Sequence, residues 1–267
     1  VILERFSLAG LNAVVSGAAH GLGKAMAIAF AEAGANLVLA DRDAPRLEET
    51  AHAVSQLDSR VIPFPCDVSE PDRIDDLFSA LDRELGSIEI LGNVAGDGIL
   101  GSPEDISLAD VHQVLQNLVV GRFCMCQQAG RRMLPRHTGS IINIGSLASV
   151  TALGRGHIAY SMAMGAVVQM TRELSTEWSS RGVRVNAILP AQVLNRGLAQ
   201  RMSADPGLEA RFLAGIPRGR LGDPQDIQGL AVLLASPAAS WITGALIPMD
   251  GGNLAMNAGG TPGSVTP

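Results

Sequence analysis

The chain has 267 residues, 47% of them hydrophobic, which suits one large α/β domain with a sheet buried on both faces better than two small domains. A net charge of −6, with Lys24 as the only lysine among 20 basic residues, argues against the clustered basic surface that nucleic-acid binding needs. No apolar run approaches the ~18 residues of a membrane span and no signal-like segment opens the chain, so a soluble, cytoplasmic protein is expected, with no membrane partner.

Short β-rich apolar runs alternate with amphipathic helices, the pattern of a parallel sheet covered on both faces. Strands are expected at residues 11–16, 36–41, 60–65, 88–93, 140–146, 183–189 and 246–249. Helices are expected at 21–33, 44–57, 71–85, 108–134, 157–181 and 223–235, the last with Asp223 as N-cap and Pro224 at its first position. A looser stretch at 190–222 holds one short helix, and the Gly-, Pro-, Ser- and Thr-rich tail at 259–267 is expected to be disordered. These elements make a Rossmann-type, doubly wound parallel sheet of about seven strands, in a single domain over residues 1–258. The three cysteines, Cys66, Cys124 and Cys126, have no metal-ligand spacing and are read as free thiols; no metal is expected. Trp178 and Trp241 read as packing elements, and so do Met162 and Met170.

After the first strand comes Ser16-Gly17-Ala18-Ala19-His20-Gly21-Leu22-Gly23. Gly17, Gly21 and Gly23 let the backbone turn tightly and approach a pyrophosphate, whose charge the next helix N-terminus stabilises. A glycine-rich turn alone is weak evidence, but this one sits between a strand and a helix, where a dinucleotide fingerprint needs it. Asp41 ends the second strand about 20 residues on, placed to accept hydrogen bonds from an adenosine ribose. The same carboxylate repels a 2′-phosphate, which favours NAD over NADP, although Arg42 beside it weakens that preference.

With these residues the chain resembles the short-chain dehydrogenase/reductase family, from about Phe6 to Gly252. The matching segments are the SGAAHGLG turn, Cys66-Asp67-Val68, Asn93-Val94-Ala95-Gly96, the NIGS strand end, and Gly182-Val183-Arg184-Val185-Asn186-Ala187. Gly219-Arg220-Leu221-Gly222 and the close from Thr243-Gly244 to Asp250-Gly251-Gly252 follow in the same order. The resemblance implies that Asp67 and Val68 flank the adenine, and that Asn93, Ala95 and Gly96 close the coenzyme floor. It also implies that His20 and Leu22 contact the coenzyme from the turn, and that the loop of Pro190 and Val193 covers the nicotinamide and substrate.

In this family a serine, a tyrosine and a lysine one helical turn after the tyrosine carry the chemistry. Ser146 matches the serine, its hydroxyl directed to the substrate oxygen; Tyr160, the only tyrosine in the chain, matches the proton-transfer group. The interval between them is 14 residues, one longer than usual, which a loop with Gly154 and Gly156 absorbs. The lysine position holds Met164, which has no charge and no donor. With a reference phenol value near ~10, only about 0.1% of Tyr160 would be phenolate at pH 7, so slow turnover that rises with pH is expected. Leu118 stands where an asparagine supports the lysine, and the neighbouring Asn117 reaches the site only if the helix bulges. Ala191 replaces a glycine, Asn195 a threonine and Val94 a second asparagine. His157 and Arg155 stand near the expected pocket mouth as candidate substitutes, with an exposed loop histidine as the stronger reading of His157.

The first expectation is therefore an NAD-dependent oxidoreductase interconverting a secondary alcohol and a ketone, impaired or altered by the missing lysine. The alternatives are an NAD-binding protein without dehydrogenase activity, regulatory or structural, and a lyase or isomerase that keeps Ser146 and Tyr160. Substrate is expected to enter near Ile99, Leu153 and the loop at 192–212, a largely apolar region. The resemblance further implies a homotetramer built on the two long helices and the C-terminal segments.

Overall fold

The computed structural model describes residues 1–256. Side chains of one strand alternate between two cores, as the pleat requires. In β1 (Asn12–Ser16), Ala13 and Val15 join one apolar cluster while Val14 joins the other. The same division continues through β2 (Asn36–Asp41), where Leu37 and Leu39 oppose Val38 and Ala40. The remaining strands are β3 (Val61–Pro65), β4 (Ile90–Asn93), β5 (Gly139–Ile144), β6 (Val183–Pro190) and β7 (Leu246–Met249). They form one parallel seven-stranded sheet in the order β3-β2-β1-β4-β5-β6-β7. The order reverses between β1 and β4, and the carboxyl ends of those strands open the crevice where ligands bind in such sheets.

One face carries α1 (Gly21–Glu32), α2 (Ala44–Ser55) and α9 (Gln228–Ala235), through Met26, Phe30, Leu47, Val54 and Leu234. The other carries α3 (Pro71–Glu84), α5 (Arg122–Met133) and α6 (Ile158–Trp178), through Leu77, Phe78, Met125, Met133 and Leu174. The fold class and single domain are as expected from sequence. The tail expected at 259–267 lies outside the described residues.

Four local expectations are corrected. The helix expected at 108–134 is not continuous: α4 (Leu108–Leu115) passes through a π-helical turn (Gln116–Gly121) into α5. The wide turn follows from a close crossing, since a Cβ on Gly121 would lie 2.0 Å from the Val68 carbonyl oxygen, and the Gln116 side-chain amide donates to the Ser69 carbonyl at 3.0 Å. The stretch after Pro190 holds two helices, α7 (Arg196–Ala204), capped by Asn195, and α8 (Leu208–Leu213). Asp223 does cap the last helical segment, which opens as a 3-10 turn (Pro224–Ile227) before α9. Trp178 packs on Gly130 as expected, but Trp241 is 98% exposed and Met162 half exposed, so neither is a packing residue within the chain.

Candidate active site

The coenzyme side is built from backbone geometry. Ser16 ends β1 opposite Asn93 of β4, and its Oγ accepts from the amides of Val94 (3.0 Å) and Ala95 (3.1 Å), tying the two strand ends together. Gly17 turns with φ +69°, and a Cβ there would stand 3.0 Å from the Ala95 nitrogen. Gly23 has no room at all: its Cβ would lie 2.0 Å from the Gly17 carbonyl oxygen. Gly21 needs its φ of +55° rather than space. His20 is the N-cap of α1, exposed and making no capping bond, and no acidic residue enters the first turn. The first amides of α1 therefore offer an anion site with no competing side chain.

Asp41 is 9% exposed, and its carboxylate is pinned by the amides of Ala19 (3.1 Å) and Asp43 (3.0 Å). Arg42 is drawn away by Asp97 at 2.6 Å. Asp67 accepts from the amide and hydroxyl of Ser69 at 2.8 and 2.7 Å, and Val68 is buried beside it. Asn93 turns its amide inward, donating to the Arg122 carbonyl (3.0 Å) and to Asn143 Oδ1 (3.1 Å), so this side chain braces the floor from within. The tight glycine cradle, the uncapped helix and the pinned carboxylate fit a dinucleotide.

The reaction side is a cleft of about 810 Å³ that brings together Ser146, Tyr160, Leu22, Gly96, Pro190 and Val193. Ser146 lies beyond the end of β5 rather than in it, as N-cap of a 3-10 turn (Leu147–Ser149). Its Oγ accepts from the Ala148 amide at 3.2 Å, and its own amide donates to Ser149 Oγ at 3.2 Å. Tyr160 stands in the first turn of α6, its ring against Gly98, where a Cβ would come within 2.7 Å of Cδ2. Gly154, Arg155 and Gly156 all take left-handed φ values (+65°, +55°, +73°), a tight coil between Ser146 and Tyr160. His157 Nδ1 sits 2.8 Å from the Gly154 carbonyl and 3.1 Å from that of Arg155, so Nδ1 carries the proton and donates. Its ring meets Tyr160 edge-on with centroids 6.2 Å apart.

Met164 and Leu118 are each 1% exposed and belong to one apolar cluster with Val114, Ala159, Ala163 and Val167. The turn beneath Tyr160 is thus sealed hydrocarbon. The helix does bulge at Asn117, but its amide donates to the Asp97 carbonyl at 3.2 Å.

Sequence reasoning missed Arg122. It is 3% exposed and lines the same cleft, donating through Nε to the Ala95 carbonyl (3.0 Å) and through Nη2 to the Val94 carbonyl (3.0 Å). Nη1 closes on the Ile144 carbonyl. Burial lowers its pKa to about 10, and the charges of Tyr160 and then Cys126 oppose that fall. The helical face shared by positions 122, 125, 126, 129 and 133, the last four apolar or sulfur-bearing and buried, signals that Arg122 is buried but not what it binds. The rim also differs from expectation. Leu100 lines it rather than Ile99, and its largely apolar lining carries the fixed charges of Arg155 and Arg201, with the Arg155 guanidinium 5.1 Å from the Phe212 ring centre.

Among the described residues no cluster of three His, Cys, Asp or Glu is placed to hold a metal, and no helix is long and apolar enough to cross a membrane. Comparison with known proteins matches residues 17–253 to the family described as enoyl-(acyl carrier protein) reductase. The chain is 38% identical over 247 residues to D-threitol dehydrogenase of Mycolicibacterium smegmatis, covering 92% of this chain and 94% of that protein. It is 38% identical over 251 residues to the L-tagatose-forming galactitol 2-dehydrogenase of Cereibacter sphaeroides, covering 92% and 96%. Among solved structures, a 7α-hydroxysteroid dehydrogenase complexed with NADH and 7-oxo glycochenodeoxycholic acid superposes with a TM-score of 0.89 at 30% identity, covering 94% and 96%. A gluconate 5-dehydrogenase from Burkholderia cenocepacia in complex with NADP and tartrate superposes with a TM-score of 0.89 at 27% identity, covering 96% and 99%.

Proposed function

The chain belongs to the short-chain dehydrogenase/reductase family, and on that premise we propose that it is an NAD-linked dehydrogenase interconverting a secondary alcohol, such as a polyol hydroxyl, and its ketone. The observation that carries this reading is the convergence of Ser146 and Tyr160 on one cleft with Gly96, Pro190 and Val193, beside the glycine cradle. The nicotinamide supplies the hydride acceptor when bound. Ser146 Oγ, already accepting one amide proton, has its own proton to donate to the substrate oxygen and so orients it. Tyr160 removes the alcohol proton in oxidation and returns it in reduction. Gly17, Gly21 and Gly23, with His20 and the α1 N-terminus, hold the pyrophosphate; Asp41 takes the adenosine ribose, and Asp67 with Val68 borders the adenine. Asn93, Ala95 and Gly96 form the floor. Asp41 is available and Arg42 is engaged by Asp97, which supports NAD over NADP although relatives use either.

The test is NADH formation from NAD⁺ with a panel of polyols and secondary alcohols, in the wild type and in Tyr160→Phe. Turnover with at least one alcohol, lost by about 100-fold or more in Tyr160→Phe, is expected. A protein that binds NAD⁺ but turns over none of the panel would be the cofactor-binding protein that buried Met164 favours as second reading.

Assembly as a homotetramer belongs to the same proposal. Phe123 on α5 and Ile158 and Met162 on α6 are exposed, and a Cβ on Gly165 meets nothing within the chain. Light scattering should show a tetramer, and Gly165→Ala should weaken it if α6 packs closely on a second copy; a monomeric wild type refutes the proposal.

A further inference from the structure

Met164 and Leu118 remove the cation expected beneath Tyr160, yet the cleft still contains one. We propose, resting on the dehydrogenase reading above, that Arg122 is a positioning residue whose guanidinium stabilises the Tyr160 phenolate from α5, in place of the missing lysine on α6.

Arg122 is a buried cation held only by neutral acceptors. Its three partners are the carbonyls of Val94, Ala95 and Ile144, and among the described residues no carboxylate forms an ion pair with it. Carbonyl dipoles solvate a guanidinium without cancelling its charge, so the field of this buried group extends into the cleft it lines. The bonds run to the ends of both β4 and β5, so the group is fixed in place before any ligand arrives. Of the negative charges that would act on Arg122, that of Tyr160 ranks first.

The other charged groups around Tyr160 are poor substitutes. His157 is held by backbone carbonyls through Nδ1 and meets the phenol only edge-on. Asp97 is paired with Arg42. Arg155 and Arg201 are exposed at the rim, where solvent screens them, and Asp205 is paired with Arg211. Cys126 lies on the far side of Arg122, held by Asn93 and Asn143. Arg122 is therefore the fixed charge left to act on the phenol.

Because Tyr160 is the only tyrosine, its ionisation can be read by ultraviolet difference absorbance in the protein without coenzyme or substrate. In Arg122→Gln, which keeps amide donors for the carbonyls but loses the charge, the phenol midpoint should rise by about one pH unit against the wild type. Arg122→Lys should hold it within about 0.3 unit, and adding Leu118→Asn with Met164→Lys to Arg122→Gln should bring it back down. The rising limb of the pH–rate profile for alcohol oxidation should move with the midpoint, about tenfold in rate at neutral pH per unit. A folded Arg122→Gln protein with an unmoved midpoint overturns the proposal and leaves Arg122 as a strut for the strand ends. Should Arg122→Gln fail to fold, the reciprocal measurement decides: in Tyr160→Phe, the Arg122 Nε resonance should titrate at lower pH than in the wild type, and an unchanged titration overturns the proposal. Failure of the dehydrogenase reading is a separate result, the absence of turnover with every alcohol, which leaves these coenzyme-free titrations standing.

Discussion

The two ends of the crevice are specified in different ways. At the coenzyme end, from β1 through α1 to β2, the determinants are backbone: glycines that no other residue can replace, an uncapped helix, and one carboxylate at a strand tip. At the catalytic end, the determinants are side chains from α4, α5, α6 and the loop after β5, and here the expected pattern has changed while the fold has not. Met164 and Leu118 pack together, and the charge now comes from a different helix. A backbone cradle tolerates no substitution at its contact points. A charge in a cleft only has to be near the right atom, so its source can move.

Gly23→Ala is the most severe way to test that contrast. The added Cβ would meet backbone, the Gly17 carbonyl at 2.0 Å, so no side chain can give way. NAD⁺ affinity should fall by about 100-fold or more, or the protein should fail to fold, since an overlap of more than about 1 Å against backbone in a packed turn is not relaxed locally. Isothermal titration with NAD⁺, alongside circular dichroism, measures both; near-normal affinity would mean that the turn is plastic.

Asp41→Ala should act more gently. It removes a charged acceptor from the ribose site and the repulsion of a 2′-phosphate, while Arg42 remains tied to Asp97. The ratio of NAD⁺ to NADP⁺ affinity should drop by about tenfold, the loss of one charge-assisted hydrogen bond. A ratio that does not change would move the coenzyme choice to another residue.

This division also explains what could be read from the chain alone. Strand and helix order followed from hydrophobic period, and Gly17, Gly23 and Asp41 were legible because their demands are local: a turn, a close contact, a strand end. Arg122 was not, because its meaning depends on the carbonyls of Val94, Ala95 and Ile144, which come from elements up to 28 residues away. The π-helical turn at Gln116–Gly121 was also hidden, since it arises where Gly121 crosses the Val68 carbonyl, a contact between segments that no periodicity records. Met164 and Leu118, at the positions where the family resemblance expects a Lys–Asn pair, were visible in the sequence. That the two fill one apolar cluster was not.

The smallest predicted effect concerns the scaffold behind the catalytic end. Cys126 is buried behind Arg122, and burial pushes its thiol up to about 12. In the unfolded chain the same thiol ionises near ~8.5. The folded form therefore holds a proton that the unfolded form releases, so this contribution is fully present below pH ~8.5 and is lost as pH rises towards about 12. Cys126→Ala should flatten the alkaline decline of the thermal midpoint without altering it at pH 7 by more than a few degrees, since only a small side chain and two long hydrogen bonds to Asn93 and Asn143 are removed. Melting curves from pH 7 to 10.5 measure the slope. An unchanged slope would mean that alkaline loss begins at another group. Arg122 is not that group, because its buried charge costs stability below about pH 10 and that cost is relieved as the pH rises above that value. The two groups thus bend the curve in opposite directions, and the double variant Cys126→Ala/Arg122→Gln separates them.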